Sequence, residues 1–211
     1  MKLIGIVAQK RAGKDTIADF LINNNGFQKY SFADPIKYGA IAMFGFTKEQ
    51  MWGSAEDKET VDPRWGISPR RMLQLMGTEL FQFDIQKHLK EGEFTVGRSV
   101  WVERFKMWYK EEKDKAIKWF LTAKTAGIVN GNPEFNVVIA DVRFPHEADA
   151  IREMGGEIWR VERPSLKQED THASEKEQES IVANYTIIND GTLEELYSKV
   201  KNILKETYVK G

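Results

Sequence analysis

Apolar residues along this chain follow two rhythms. Short β-branched runs mark its two ends, and stretches with apolar residues at helical spacing fill its middle. Leu3-Ile4-Gly5-Ile6-Val7-Ala8 is apolar without alternation. Such a run predicts a strand buried on both faces, as in a parallel sheet. A glycine-containing turn follows. Ile17, Ala18, Leu21 and Ile22 then recur at helical spacing within Thr16 to Asn24, and Asn25-Gly26 is a helix stop. Phe27 to Phe32 reads as a second strand. Asp34-Pro35 predicts a helix start, with Asp34 as N-cap and Pro35 in the first turn.

The middle third reads as helical. Thr47-Lys48-Glu49-Gln50 is a capping box. Ser68-Pro69 starts a longer helix, ending near Gln86. Ser99 to Ala123 is amphipathic, and its Trp101, Phe105, Trp108, Trp119 and Phe120 are expected to fill a core. Strand signals then return. Asn136-Val137-Val138-Ile139-Ala140 is another buried-type run, with Asp141-Val142-Arg143 at its end. A helix beginning near His146 stops at Gly155-Gly156. Glu157 to Glu162 alternates as a strand, Arg163 to Ser180 is charged and weakly periodic, and Tyr185-Thr186-Ile187-Ile188 is a last strand. Asn189-Asp190-Gly191 turns into a helix capped by Thr192, with Leu196, Val200, Ile203 and Leu204 inward. Strand–helix alternation at both ends places the chain in the α/β class with a parallel sheet. The helical middle is then an insertion into that sheet, and the chain is one domain.

Charge and composition narrow the function. Lys and Arg number 31 against 32 Asp and Glu, for a net charge of −1, which argues against a general nucleic-acid binder while leaving room for local basic pockets. With no Cys, thiol catalysis and disulfides are out, and with three His a histidine-rich metal site is disfavoured. No apolar run approaches the roughly 20 residues of a membrane helix. Met1 to Ala8 is too short for a signal peptide. These features are expected of a soluble, cytoplasmic protein.

The sharpest local signal is Ala8-Gln9-Lys10-Arg11-Ala12-Gly13-Lys14-Asp15-Thr16, set between a predicted strand and a predicted helix. A tight loop there directs backbone N–H groups inward, and the helix adds about half a positive charge at its start. Together they cradle a polyphosphate, with the Lys14 ammonium at its outer end. The usual pattern has Gly where Ala8 stands and a hydroxyl where Asp15 stands. Ala8 is tolerable if its φ is negative. Asp15 repels phosphate unless it faces a cation or turns away. The plain alternative is an ordinary strand–helix turn at Gly13-Lys14.

Basic residues recur at element ends. Lys37, Arg70, Arg71, Arg143, Arg160 and Arg163 are candidates to hold anions, although any one arginine alone is more simply a solvated residue. Arg70, Gln74, Gly77 and Phe81 share one helical face at i, i+4, i+7 and i+11. Asp141, ending a buried strand, suits Mg²⁺, or else serves as a helix N-cap or a partner of Arg143. Asp34 serves either as N-cap or as a ribose or catalytic contact. His172 and Glu175 are either lid contacts or part of a solvated loop.

Several blocks resemble the deoxynucleoside monophosphate kinases of bacteriophages. They are Gly13-Lys14-Asp15-Thr16, Ser31-Phe32-Ala33-Asp34-Pro35-Ile36-Lys37, Ser68-Pro69-Arg70-Arg71-Met72-Leu73-Gln74 with Gly77-Thr78-Glu79, and Asp141-Val142-Arg143-Phe144-Pro145 with Glu147. The resemblance runs from residue 3 to about 205. It implies a P-loop NTPase fold of three α/β/α layers with a parallel sheet. The core would span about 1–36, 134–162 and 182–211, a helical acceptor-binding insertion about 37–133, and a short lid about 163–181. It implies transfer of the γ-phosphoryl of ATP to a deoxynucleoside 5′-monophosphate, with Mg²⁺. On matching positions, Lys10, Arg11, Ala12, Gly13, Lys14, Asp15 and Thr16 would hold ATP phosphates, and Asp190 and Gly191 would lie against adenine. Lys37, Arg70 and Arg143 would hold the acceptor phosphate, with Asp34 beside it, and Gln74 and Trp52 or Trp65 would meet its base. Lys14, Arg143, Arg163 and Asp141 would be catalytic, with Arg163 as a lid arginine. Asp15, Thr16 and Asp141 would face the metal.

Phosphomevalonate and dephospho-coenzyme A kinases have similar phosphate loops and anionic acceptors, so they remain rivals. A nucleotide-binding regulator without turnover is another, though it would lack the acceptor arginines. The partners expected are small molecules, with no nucleic acid and no membrane. The stretch 99–123 serves a homodimer face as readily as a core. If phage-encoded, the chain would work in the host cytoplasm.

Overall fold

In the computed structural model, which describes residues 1–90, 93, 97–166 and 177–209, five strands form one parallel sheet. They are β1 (Leu3–Ala8), β2 (Phe27–Tyr30), β3 (Asn136–Ile139), β4 (Glu157–Glu162) and β5 (Tyr185–Ile188), in the order β2-β3-β1-β4-β5. The helices are α1 (Lys14–Asn25), α2 (Asp34–Phe44), α3 (Lys48–Trp52), α4 (Ala55–Glu59), α5 (Pro69–Gln74), α6 (Val100–Thr125), α7 (Pro145–Glu153) and α8 (Leu193–Val209). The chain divides into two compact units, one of Met1–Ser31 with Trp108–Gly211 and one of Phe32–Met107.

In the sheet unit, β1 is central. Gly5 is in register with Ile139 of β3, and Ile6 with Trp159 of β4. Every residue of β1 is buried, which is why its sequence carries no polar alternation. α1 buries Ile17, Ala18, Phe20 and Leu21 and ends where Gly26, in the left-handed region, donates its N–H to the Leu21 carbonyl. Ile4, Ile6, Ile17, Leu21, Trp159, Ile187 and Val200 belong to one core. α7 packs so near β1 that a Cβ at Gly5 would lie 2.7 Å from Ile151 Cδ1. In this unit Trp108 meets Tyr30 and Phe135, with ring centroids 4.5 and 6.2 Å away, and Phe120 is buried. Trp119 departs from the expected core role, being 64% exposed.

The helical unit has its own core of Ile36, Ala40, Phe46, Met51 and Met76. Its short helices are fixed by caps. Thr47 with Gln50 and Ser54 with Asp57 form reciprocal capping boxes, and Ser68 Oγ accepts from the Arg71 N–H. Asp62 is buried and accepts from Arg64 Nε and Nη2 (2.9 and 2.6 Å) and Gln50 Nε2 (3.0 Å). The Arg64 side-chain bonds hold its carboxyl well below the usual range. The helix expected from Ser68 to Gln86 changes winding midway. It is α only through Gln74, then π over Leu75–Asp84 and 3₁₀ over Ile85–His88. Gly77 puts no side chain on this turn, and its carbonyl accepts from Trp101 Nε1 (2.9 Å), a setting that suits the wider winding. No helix among the described residues is long and apolar enough to cross a membrane.

Candidate active site

The chain leaves β1 and enters α1 through a turn in which Ala12 N donates to Gln9 O (3.2 Å). Arg11 has φ 68° and Gly13 has φ 108°, with Ala12 between them at negative φ. Alternation of this kind makes a concave run of amides suited to an anion. Ala8 is not at positive φ, so alanine fits where the usual pattern has glycine. The helix starts at Lys14 with Gly13 as its N-cap, two residues before the expected Thr16. A cavity of about 350 Å³ opens here, lined by Arg11, Gly13, Lys14, Asp15 and Thr16, with Arg163, Asn189 and Gly191 opposite. Lys14 Nζ donates to both Asp15 carboxylate oxygens, at 2.9 and 2.8 Å. Asp15 thus turns to the neighbouring ammonium. An exposed pair of this kind contributes roughly 0–1 kcal/mol, so a phosphate can compete for the lysine.

Asn189 braces the loop. Its Nδ2 donates to the Ala12 carbonyl (2.9 Å), and its own N–H donates to the Glu162 carbonyl (2.7 Å). Asp190 does not line this cavity; its Oδ1 accepts from Lys199 Nζ (2.6 Å), which holds its carboxyl below the ordinary value. Lys199 also donates to the Ile188 carbonyl (2.7 Å), pinning the turn at the end of β5.

Beyond β3, Asp141 is half-buried and its Oδ2 accepts from Ser31 Oγ (2.6 Å). Arg143 is exposed. The residue ahead of α7 is Phe144, so Asp141 is not that helix's cap. The capping role falls to Glu147, whose Oε2 accepts from the N–H groups of Arg143 (2.8 Å) and Phe144 (3.1 Å). Glu147 therefore fixes the backbone that presents Arg143. Burial pushes its carboxyl up from 4.5 to about 7. A folded chain that keeps a proton the unfolded chain has lost is destabilised as pH rises. This group's contribution is therefore full below the unfolded value and is lost as pH rises through about 7. Across that window the loss is on the order of 3 kcal/mol. Glu147→Gln keeps an acceptor oxygen and should flatten the pH dependence of the melting temperature between pH 4.5 and about 7. A wild-type slope in the variant would assign the titration to another group.

Gln178 and Arg160 also converge on this edge. Gln178 Nε2 donates to the carbonyls of Ala8 (3.3 Å) and Val142 (3.0 Å). Arg160 Nη2 is committed to backbone carbonyls of Gln178 (3.2 Å), Glu179 (3.4 Å) and Ile181. Arg163, by contrast, lines both the phosphate-loop cavity and a second one of about 410 Å³ that also includes Gln9, Arg160 and Gln178. Lys10 is exposed. His172 and Glu175 lie outside the described residues, as does most of the 163–181 stretch expected to be a lid.

In the helical unit, Asp34 is not an N-cap. α2 begins at Asp34 with Ala33 as its cap and no side-chain cap bond. The carboxylate instead accepts from Trp52 Nε1 (3.1 Å) and lies 3.6 Å from Lys37 Nζ. Lys37 stands 5.2 Å from the Trp52 ring centroid, and Tyr38 packs on the same indole. These four side chains form a partly exposed aromatic and charged surface. Trp65 is exposed, its Nε1 donating to the Phe44 carbonyl (2.9 Å). Arg70 Nε is paired with Glu59 (2.5 Å), and Gln74 is exposed. The expected face of Arg70, Gln74, Gly77 and Phe81 breaks at the π-segment. Phe81 meets Trp101 edge-on at 5.6 Å, and the Gly77 carbonyl is taken by the same indole.

An amide nest between the central strand of a parallel sheet and the helix that follows, with a lysine opening that helix, defines a P-loop α/β phosphate-binding protein. The deoxynucleotide monophosphate kinase family model matches residues 2–62 and 48–200, and the chain belongs to that family. It is 38% identical over 202 residues to a protein of Acanthamoeba polyphaga mimivirus named, provisionally, a deoxynucleotide monophosphate kinase, covering 95% of this chain and 94% of that one. It is 26% identical to the deoxynucleotide monophosphate kinase of Enterobacteria phage T4, covering 97% and 99%. Among solved structures, the dephospho-CoA kinase from Campylobacter jejuni is similar with a TM-score of 0.40 and 15% identity, covering 97% of this chain and 96% of that one.

Proposed function

We propose that the chain transfers the γ-phosphoryl group of ATP to the 5′-phosphate of a deoxynucleoside monophosphate, giving ADP and the diphosphate. The supporting observation is the nest at Arg11 to Gly13 with Lys14 at its rim. Lys10 to Thr16 hold the triphosphate, and Asp190 and Gly191 border its adenine. The Lys14 ammonium leaves Asp15 for the phosphate oxygens, where charge spreads during transfer. Arg163, on the wall of the same cavity, adds a second cation.

The oxygens of Asp15, Thr16 and Asp141 are hard donors of the kind Mg²⁺ takes, and that ion would draw charge from the β- and γ-phosphate oxygens. Asp15, once released by Lys14, would be one of its donors, and Ser31 keeps the Asp141 carboxylate oriented. Arg143, set by Glu147, meets the acceptor phosphate. Within the helical unit, Lys37 and Arg70 supply cations suited to a monophosphate, and Gln74, Trp52 and Trp65 offer an amide and flat surfaces for a base. No covalent intermediate is required, since both anions need only be neutralised and aligned.

ADP release with ATP and each deoxynucleoside monophosphate, alongside a thermal-shift panel that adds phosphomevalonate and dephospho-coenzyme A, tests this reading. Turnover and stabilisation with a deoxynucleotide are expected. Turnover confined to the other two acceptors would replace it. Arg70→Ala and Arg143→Ala should each raise the acceptor KM by about tenfold or more, with the ATP KM nearly unchanged. An unchanged acceptor KM in both would remove these arginines from the acceptor's phosphate.

A further inference from the structure

Neighbouring parallel strands share carbonyls and amides in a regular ladder, and a carbonyl at a strand's end needs a partner when the neighbour turns away. Along β1 the carbonyls of Ile6 and Ala8 point to the same side, because strand geometry repeats every second residue. Ile6 O accepts from Val142 N (3.3 Å), the last rung between β1 and the chain leaving β3. Two residues later the partner is lost. Phe144 N donates to Glu147 instead (3.1 Å), and the chain turns into α7. The Ala8 carbonyl, at the mouth of the phosphate loop, is left beyond the ladder.

Gln178 fills that place. Its single amide nitrogen donates to Ala8 O and to Val142 O, so it spans the gap where the two strand ends diverge. Its backbone is in turn held by Arg160, which rises from the middle of β4. The residues it bridges are the ones that matter for chemistry. Ala8 opens the loop that carries Lys14, and Val142 lies between Asp141 and Arg143. We infer that Gln178 is a positioning residue: its amide sets the spacing between the phosphate loop and the Asp141–Arg143 segment, and thereby the in-line geometry of transfer. This inference rests on the kinase reading above.

The consequence is specific. Substrates bind through groups that Gln178 does not touch, so their affinities should survive its loss. Alignment at the reacting centre should not, and a displacement of about 1 Å can cost on the order of 100-fold in rate. Two variants separate bonding from volume. Gln178→Met fills the space and donates nothing. Gln178→Glu keeps the shape and sets a carboxylate against two carbonyl oxygens.

Steady-state kinetics with ATP and the best deoxynucleoside monophosphate, and melting temperatures, are measured for wild type and both variants. In each variant kcat is expected to fall about 10- to 100-fold while both KM values stay within about threefold. Melting temperatures are expected within about 3 °C of wild type. A kcat within about twofold of wild type in both overturns the proposal. So does a rise of both KM values together with a melting drop beyond about 5 °C, which would mark a purely structural brace. Wild type without turnover on any deoxynucleotide overturns the kinase reading and this proposal with it; an active wild type with unaffected variants overturns the proposal alone.

Discussion

Lys14→Ala is expected to lower kcat by about two to three orders of magnitude and to leave the melting temperature within about 2 °C of wild type. The asymmetry follows from what the side chain does. Lys14 opens α1, it is 25% exposed, and its bonding partner is the carboxylate of its exposed neighbour Asp15. Such a pair adds little to folding. In the bound complex the same ammonium would sit against phosphate oxygens that gain charge as the bond breaks, where one well-placed cation has its largest effect. The comparison needs kcat from ADP release and a melting curve on the same preparation. A variant with near-normal turnover would take the lysine out of the mechanism.

Gly13→Ala should damage both stability and nucleotide binding. Gly13 has φ 108°, where an L side chain is strained by about 1–3 kcal/mol. A Cβ there would also stand 2.6 Å from Asn189 Nδ2. The amide must then move off the Ala12 carbonyl, its partner at 2.9 Å, and the nest loses its brace. The expected result is a lower melting temperature and loss of most ATP-induced stabilisation. Asn189→Ala on the same background should recover part of the melting temperature, since it removes the collision and leaves the backbone strain. A single variant with wild-type melting and a full ATP shift would show that the loop tolerates a side chain there.

Much of this architecture is visible in local patterns. β1, β4 and β5 match the strands expected from their sequence residue for residue, and in β1 burial of every residue dictates the apolar run. The capping box at Thr47 and Gln50 and the stop at Gly26 follow from backbone chemistry within one turn. The misses share a different origin. Asp34 has the composition of a cap, yet its carboxylate is drawn to Trp52, eighteen residues away. Within the π-wound Leu75–Asp84, the Gly77 carbonyl is taken by Trp101, a partner twenty-four residues on that no local pattern shows. Trp119 sits at an apolar position of a helix whose other aromatics are covered, and periodicity does not say where that cover ends. In the candidate site, Lys14 and the loop around it stand out in sequence because glycine and lysine at fixed spacing have few other uses. Gln178 and the Asn189 amide leave no such trace. Each acts through a bond to a main-chain carbonyl 170 or more residues distant. Glu147 was more accessible, since an acid three residues after a helix cap is a local signature.

The strand order has one more implication, for synthesis of the chain. β1 is made first, yet its two neighbours are β3, from residue 136, and β4, from residue 157. The most apolar segment of the sheet therefore emerges well before either neighbour has been translated, whereas the short helices of Phe32–Met107 find their caps within a few residues. Non-local pairing of this kind is slow and leaves apolar surface waiting for its cover. A ribosome pausing before residue 136 would hold a nascent chain whose phosphate loop follows a strand with neither neighbour yet made.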